Sequence, residues 1–177
     1  ISFALKNSYS EDYTNLITSL FPGLYEIVKK KLQKQEAIND YRIGELAPVF
    51  IRENENIMEI IKLSLLFFRN NNTDQYDFYY YKNCIQQFFD ALNIHVTYHK
   101  KTKNASYCSS IFVEIHSLNK AIGTMCFIDP IIVAKSLKTS GALFFVDINY
   151  EALCHCITHY EKQKISIIQK TVRSIDV

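Results

Sequence analysis

The sequence predicts one α+β domain with a mainly antiparallel sheet of about six strands and helices on the faces of that sheet. Extended apolar runs follow one another as hairpins rather than alternating with helices, which favours antiparallel over parallel pairing. Two longer segments place apolar residues at the three-and-four spacing of a helix. With 177 residues the chain suits a single domain that buries a substantial core.

The first helix and the strand after it form the unit around which the other elements are arranged. Pro22 and Gly23 mark the start of a helix predicted over residues 22–36, because proline has no N–H to lose in the first turn. Residues 41–51 are predicted to form a strand, and Pro48 indicates that this strand lies at an edge or carries a bulge. The helix face expected to be buried consists of Leu24, Ile27, Val28 and Leu32.

A second helix is predicted over residues 78–92, with Asp77 as its N-cap. Before it, residues 1–5 are expected to form a short strand, Arg52–Asn56 a hairpin loop and Ile60–Phe68 a buried strand. The apolar stripe of the second helix consists of Tyr81, Cys84, Ile85, Phe88, Phe89 and Leu92, of which the last four are expected to be largely buried.

The C-terminal half is predicted to begin with an antiparallel pair of strands. Ile111–His116 and Ala121–Ile128 form this pair around a turn at Asn119–Lys120. Asp129 and Pro130 are typical residues for the start of a short helix. The other predicted segments are a short strand at Ile94–His99, a basic loop at Lys100–Asn104, that short helix at Ile131–Leu137, a strand at Ala142–Ile148 and one or two helical turns at Glu151–Tyr160.

The composition is that of an ordinary globular domain. Hydrophobic residues make up 48% and charged residues 21%, and the net charge of +2 is not the clustered basic excess of a nucleic-acid binder. No apolar run approaches the roughly 20 residues of a membrane span, so we expect a soluble, cytoplasmic protein. The five cysteines are scattered without a C-x-x-C pair, which favours reduced thiols. Because the sequence opens on Ile1 without an initiating Met, we expect a fragment of a longer chain.

Six segments, in chain order, resemble motifs of the phenylalanyl-tRNA synthetase beta chain family. The first, N-S-Y-S-E-D-Y-T-N-L-I-T-S-L-F-P-G-L from Asn7 to Leu24, resembles the family's N-P-L-S-x-x-x-x-x-L-R-x-S-L-L-P-G-L without a gap. Y-R-I-G-E-L-A-P-V-F resembles R-L-F-E-I-G-x-V-F, and I-G-T-M-C-F-I-D-P resembles I-G-x-L-G-x-x-x-P. The remaining segments are Phe78–Leu92, similar to F-F-D-L-K-G-x-V-E-x-L-L-x-x-L, Phe144–Leu153, similar to F-E-L-D-L-x-x-L, and Val172–Val177, similar to R-R-D-I-A-V.

Several marker residues of these motifs differ in this chain. Positions at which the family residue is replaced are Ile17 for arginine, Gly44 and Ala47 for the Phe and Gly of F-E-I-G, Asn83 and Cys126 for glycines, and Phe145 for glutamate. Positions at which it is retained are Glu45, Lys82, Gly123, Pro130 and Asp147. The apolar framework is intact, so the losses concern the function more than the fold.

The resemblance implies a class II aminoacyl-tRNA synthetase fold over residues 1–165, followed by a linker at 166–177 toward an anticodon-binding module. It implies a non-catalytic structural core that supports the alpha chain while the assembled enzyme, a phenylalanine-tRNA ligase, attaches phenylalanine to tRNA. The alpha chain, and tRNA through the holoenzyme, are the partners that the resemblance implies. ATP and Mg²⁺ would serve the holoenzyme, whereas no catalytic, cofactor-binding or metal-binding residue is expected in this segment.

The arginines give a physical reason to expect a silent domain. A class II site grips ATP phosphates through an arginine on a strand that resembles residues 41–51, and arginine suits such bidentate contacts. The matching position is Ile51, and Arg52, one residue on, should point to the opposite side of the sheet. No glycine-rich segment precedes a helical arginine near the C-terminal end.

Other groupings have a structural interpretation that outweighs the chemical one. Free cysteines are often simply buried, so a structural role is the preferred interpretation over a metal cluster or a thiol nucleophile. The candidate metal cluster is Cys154, His155, Cys156 and His159, and the candidate nucleophile is Cys108 with His116 or His99 as its base. Candidate contacts with RNA are Lys29–Lys31, Lys100–Lys103 and the stacking residues Tyr79–Tyr81.

Two alternatives to a synthetase subunit stay open. A stand-alone paralogue that acts as an interaction or regulatory module would expose an apolar face. A small-molecule-binding protein that reuses the class II site would contain a deep pocket with a polar rim.

Overall fold

A computed structural model describes residues 3–4, 15–34, 39–54, 56–70, 76–102, 107–139 and 141–173. In chain order the elements are β1 (Phe3–Ala4), β2 (Asn15–Leu16), α1 (Phe21–Gln33), β3 (Asp40–Glu53), β4 (Asn56–Arg69), α2 (Tyr76–Ala91), β5 (Thr97–Lys101), β6 (Cys108–Ser117), β7 (Lys120–Ile128), α3 (Pro130–Leu137), β8 (Ala142–Asn149) and α4 (Tyr150–Arg173). In this part of the chain no helix is both long and apolar enough to cross a membrane.

Six strands form one sheet in the order β3-β4-β8-β7-β6-β5, and every neighbouring pair is antiparallel. The predicted α+β class with a mainly antiparallel sheet is therefore confirmed. β1 and β2 pair separately with each other. β3 is an edge strand, so Pro48 removes no hydrogen bond from the sheet ladder, as the sequence predicted.

Helices cover both faces of the sheet. We call the side against which α1 and α3 pack the α1 face, and the side against which α2 and α4 pack the α2 face. Because side chains alternate along a strand, Phe145 joins the core of the α1 face while Phe144, its neighbour, joins the core of the α2 face. The core of the α1 face includes Leu24, Val28, Leu66, Phe68, Val133 and Leu143, and that of the α2 face includes Phe67, Tyr81, Ile85, Phe89, Val146 and Leu153.

Turn and cap chemistry explain several boundaries that the sequence predicted well. The β6–β7 hairpin turns at Leu118 and Asn119, which have φ values of 50° and 61°. The Asp129 carboxylate accepts a hydrogen bond from the Ile131 N–H at 2.9 Å and so caps α3, as expected. Pro130 then occupies the first turn of the helix, where its missing N–H costs nothing.

Four element predictions are wrong. The β3–β4 hairpin is tighter than the predicted Arg52–Asn56 loop, because the ladder continues to the pair Glu53 and Asn56. Lys100 and Lys101 belong to β5 rather than to a basic loop. α2 begins at Tyr76, so Asp77 lies inside the helix and is not its cap. α4 runs far beyond the predicted one or two turns and has helical backbone through Arg173, while a domain boundary at residue 165 stays a prediction.

One predicted core residue is exposed, and three are only half-buried. Ile27 is 41% exposed because it lies about 100° around the helix from the fully buried Val28, outside the stripe that faces the sheet. α1 also ends at Gln33, earlier than the predicted residue 36. The half-buried residues are Leu32, Phe88 and Leu92.

Candidate functional site

A row of polar side chains crosses the α1 face on all six strands. The register pairs Glu45 with Ser64, Ser64 with Asp147, Asp147 with Thr124, Thr124 with Glu114 and Glu114 with His99. Residues directly opposite each other in antiparallel strands share a face, so these side chains follow one another across the sheet. We call this set the polar row, and its members are Glu45, Ser64, Asp147, Thr124, Glu114 and His99.

The middle of the polar row is an ion pair with a buried hydroxyl. Asp147 Oδ2 accepts a hydrogen bond from Lys62 Nζ at 2.9 Å, and Asp147 Oδ1 accepts one from Ser64 Oγ at 2.7 Å. The Lys62 and Asp147 side chains are 20% and 25% exposed, and Ser64 is completely buried. The lysine charge at this point of the face is therefore already matched by a carboxylate.

A second charged group lies at the β5–β6 end of the row. Glu114 Oε2 is 2.9 Å from His116 Nε2 and 3.4 Å from Lys101 Nζ. The hydrogen bond from His116, followed by that from Lys101, holds the pKa of Glu114 below its usual value. The His99 and His116 rings stand 4.4 Å apart, between centroids. The cationic side chain of Lys101 is again paired with an acid.

The position matched to the phosphate-gripping arginine lies on the α1 face and is apolar. Ile51 is directly opposite Met58, and both side chains are exposed, by 36% and 43%. Arg52 is opposite Ile57 in the next pair along, so it belongs to the α2 face, as the sequence predicted. A guanidinium at residue 52 consequently points away from the polar row.

The other described arginines of the sheet, Arg42 and Arg69, lie on β3 and β4 at the end far from the β3–β4 hairpin. Arg42 donates hydrogen bonds to Asp40 at 3.0 Å and to the Tyr80 hydroxyl at 2.6 Å. The Asp40 contact is the main cause that raises the pKa of Arg42 above its usual value. The Arg69 guanidinium stands 5.5 Å from the centre of the Tyr80 ring. Both arginines thus contact one aromatic side chain of α2 and lie away from the polar row.

A cavity of about 350 Å³ lies where the chain enters α1. The Glu45 end of the polar row reaches this cavity, and the Glu45 carboxylate lies 4.0 Å from the position that a Cβ would take at Gly23. The Phe21 N–H donates to Ser19 Oγ at 3.2 Å, and Leu20, at the N-cap position, offers no side-chain cap. The lining consists of Leu16, Ile17, Thr18, Ser19, Leu20, Pro22, Gly23 and Glu45.

The structure does not bring the thiol candidates together with a base. Cys108 and His116 are eight residues apart on β6, on the order of 25 Å at about 3.3 Å per residue. Cys108 is buried, with its sulfur 3.1 Å from that of Cys126. The contact with Cys108 is the main cause that raises the pKa of the Cys126 thiol, which keeps it protonated and unreactive.

The other candidates are also spread over the molecule. Within the described residues no group of three or more His, Cys, Asp or Glu side chains could hold a metal, and Cys156 packs into the core of the α2 face. Lys29 pairs with Glu26 at 3.1 Å. Tyr81 is fully buried and stacks on Phe144, whereas Tyr79 is 63% exposed. Lys103 lies outside the described residues.

Sequence reasoning missed the polar row as a unit. Glu45 and Asp147 are retained family markers, but nothing in the linear sequence places them on one face. Their connection through Ser64 needs the pairing of β3, β4 and β8, which are distant in sequence. The retention of these two family residues was the one signal in the sequence that could have indicated the polar row.

Comparison with known proteins identifies a family that matches most of this chain. A family described as the phenylalanyl tRNA synthetase beta chain CLM domain matches residues 2–150. The chain is 24% identical to the phenylalanine-tRNA ligase beta subunit of Syntrophotalea carbinolica over an alignment of 157 residues, which covers 83% of this chain and 19% of that protein. It is 25% identical to the beta subunit of Thermotoga maritima, with 85% and 19% covered, and 26% identical to that of Carboxydothermus hydrogenoformans, with 86% and 20% covered.

The fold is also similar to that of a solved class II synthetase. PylSc of Desulfitobacterium hafniense, a pyrrolysyl tRNA synthetase, superposes with a TM-score of 0.63 at 13% identity, over 86% of this chain and 52% of that one. At that identity the likeness concerns the fold alone. The chain spans about a fifth of the length of the curated relatives that it matches.

Proposed function

The chain belongs to the family of the phenylalanyl-tRNA synthetase beta chain CLM domain, and from this premise we propose that it is a non-catalytic structural core of that enzyme. Its role is to hold the catalytic alpha chain in its working geometry while the assembled ligase joins phenylalanine to tRNA. The observation that carries the proposal is the apolar pair Ile51 and Met58 at the position where a class II site grips phosphate.

The residues of the α1 face do not fit ATP and Mg²⁺. Phosphate needs cations that are free to bind it, but Lys62 and Lys101 are paired with Asp147 and Glu114. Mg²⁺ favours carboxylates with room for several waters, whereas the Asp147 carboxylate already accepts two protein hydrogen bonds. We therefore assign ATP, Mg²⁺ and tRNA to the holoenzyme in the cytosol, and no chemical step to this domain.

The first test measures catalysis directly. Phenylalanine-dependent exchange of pyrophosphate into ATP is measured on this chain alone, on the alpha chain alone and on the complex of the two. We expect background exchange from this chain, because the two lysines that the structure describes beside the polar row, Lys62 and Lys101, are already paired with carboxylates. Phenylalanine-dependent exchange above background from this chain would overturn the proposal.

The second test separates the proposal from its alternative. The exposed Ile17, Ile51 and Met58 side chains also suit a stand-alone interaction module that has lost its synthetase partner. The full-length beta chain is co-expressed with the alpha chain encoded in the same genome, and the complex is purified through a tag on the alpha chain. Association with charging activity supports the synthetase subunit, and failure to associate supports the stand-alone module.

A further inference from the structure

We propose that the cavity at the entry to α1 binds an arginine side chain of a partner polypeptide, with Glu45 as its counter-ion. The cavity, of about 350 Å³, is near the lower end of the range of ligand sites, which is ample for one long side chain. Its lining combines one carboxylate with a largely apolar wall, the arrangement that an arginine needs for its head and its stem.

Glu45 supplies the negative charge. Among the residues that the structure describes, the Glu45 side chain forms no hydrogen bond or ion pair, whereas four other members of the polar row do: Ser64, Asp147, Glu114 and His99. Glu45 is exposed on edge strand β3 and lies beside the first turn of α1 at Gly23. The positive end of the α1 dipole favours a negatively charged group at this position.

Ile17 explains why the lining of the cavity offers Glu45 no cation. Ile17 and Glu45 line the same cavity. In the family segment that residues 7–24 resemble, the residue at position 17 is an arginine, which would stand among the residues that line this cavity. With isoleucine there, none of the residues that line the cavity carries a positive charge to match Glu45. An arginine that enters from another chain replaces the missing in-chain cation.

The surroundings of the cavity favour a polypeptide over a free metabolite. The Phe50 N–H donates to the Ile17 carbonyl at 2.8 Å, which places Ile17 along the outer edge of β3 next to Ile51. Ile17 is 53% exposed, and Ile51 and Met58 continue the exposed apolar surface. Apolar side chains around a single charged pocket are typical of a protein interface, in which they exclude water from the ion pair.

Arginine fits this cavity better than lysine. A guanidinium is planar and weakly hydrated, so it stacks against apolar walls such as Leu20 and Pro22 while it donates two parallel hydrogen bonds to a carboxylate. An ammonium group is compact and strongly hydrated, and it loses more solvation on entering an apolar-walled site.

The inference rests on the proposed function for the identity of the partner, which is the alpha chain. The experiment measures the affinity of the full-length beta chain for the alpha chain by biolayer interferometry, for wild type, Glu45→Gln and Ile17→Arg. Glu45→Gln keeps the shape and removes the charge, whereas Ile17→Arg offers Glu45 a cation from its own chain. Matched controls are Glu161→Gln, an exposed glutamate on α4, and Ile17→Leu, which keeps the apolar wall.

We expect both test variants to lose about tenfold or more in affinity, and both controls to stay within about twofold of wild type. Added salt should weaken the wild-type complex more than the Glu45→Gln complex, because only the former contains this ion pair. Melting temperatures measured in parallel show that each variant is folded.

The two ways of failing are distinguishable. If wild type binds the alpha chain and Glu45→Gln and Ile17→Arg bind equally well, the arginine site is overturned while the structural role survives. If wild type does not bind the alpha chain, the proposed function is wrong, and the alpha chain is not the partner that supplies the arginine.

Discussion

At the scale of single residues, Asp147 explains why two strands distant in sequence are held in register. Its carboxylate, on β8, accepts hydrogen bonds from Lys62 and Ser64, both on β4. Gly123 lies on β7, the neighbour of β8 on the side away from β4. It is also a retained family residue, but for a different physical reason. A Cβ at residue 123 would lie 2.7 Å from the Asp147 carbonyl oxygen, so β7 and β8 can approach this closely only at a glycine.

We expect Asp147→Ala to destabilise the fold by about 1.5–3 kcal/mol, because it leaves a half-buried ammonium and a buried hydroxyl without their acceptor. The double variant Asp147→Ala with Lys62→Met should recover part of that loss, since no cation is then stranded. Urea unfolding followed by circular dichroism gives both free energies. A loss below about 0.5 kcal/mol for the single variant would show that the network does not stabilise the sheet.

The buried hydroxyl of Tyr98 makes the free energy of unfolding depend on pH in the alkaline range. Its hydroxyl is buried and has no hydrogen-bond partner among the described residues, and burial, aided by Asp90, raises the pKa of Tyr98 to about 12. An unfolded tyrosine ionises near pH 10. Between these values the folded chain holds a proton that the unfolded chain has lost, so the free energy of unfolding falls as pH rises from about 10 to about 12.

We therefore expect Tyr98→Phe to lose less stability than wild type between about pH 9 and about pH 11.5. At neutral pH the substitution should be neutral or slightly stabilising, because it removes a buried hydroxyl that has no partner. Urea unfolding at several pH values measures the difference, with Tyr79→Phe as the control at an exposed tyrosine. Parallel stability profiles for wild type and Tyr98→Phe would contradict the prediction.

At the scale of elements, the sequence predicted the strands and helices whose burial pattern is local. The stripe of α2, the cap of α3 and the apolar run of β8 each follow from residues that are neighbours in the chain. The length of α4 did not, because the polar run Glu161–Lys164 interrupts its apolar residues and resembles the end of a helix. The tight β3–β4 hairpin was missed because Asn54 adopts a positive φ of 57° that polar composition alone does not reveal.

The residues that each helix buries were predicted less accurately than the position of the helix in the chain. Phe88 and Phe89 both belong to the apolar stripe of α2, yet Phe89 is completely buried and Phe88 only half-buried. Neighbouring helical residues are about 100° apart, so only the sheet beneath decides which of two adjacent phenylalanines faces it fully. Phe89, which is completely buried, therefore contributes more than Phe88 to the docking of this helix on the sheet.

We expect Phe89→Ala to cost about 3–5 kcal/mol in the free energy of unfolding, because it opens a cavity in the core of the α2 face. Phe88→Ala should cost clearly less, since part of its ring is already in contact with water. Thermal and urea unfolding of both variants provide the comparison. Equal losses, or a larger loss for Phe88→Ala, would show that α2 is rotated about its axis relative to this structure.

At the scale of the whole molecule, the fold could be predicted and the site only in part. Motif order identified the fold because an apolar framework tolerates many substitutions. The absence of an arginine at Ile51 could also be read directly. The polar row and the cavity could not, because Glu45, Ser64 and Asp147 meet only after β8 inserts between β4 and β7.

The exposed apolar surface around Ile51 has a consequence for the isolated chain. Ile51 and Met58 form a cross-strand pair on the α1 face near the end of the β3–β4 hairpin, and they are 36% and 43% exposed. Surface of this kind is normally covered by a partner. Without the alpha chain, two copies of this chain can cover part of it by packing against each other. We expect weak, reversible self-association whose strength depends on these side chains.

Sedimentation velocity over a range of concentrations measures this association. The wild-type sedimentation coefficient should rise with concentration, whereas the double variant Ile51→Ser with Met58→Ser should stay monomeric, because it removes the apolar area that drives packing. Ile131→Ser is the control, since Ile131 is 62% exposed but lies on α3, away from the hairpin. If the hairpin variant associates as strongly as wild type, the apolar pair is not the contact surface, and its place at the alpha-chain interface loses its support.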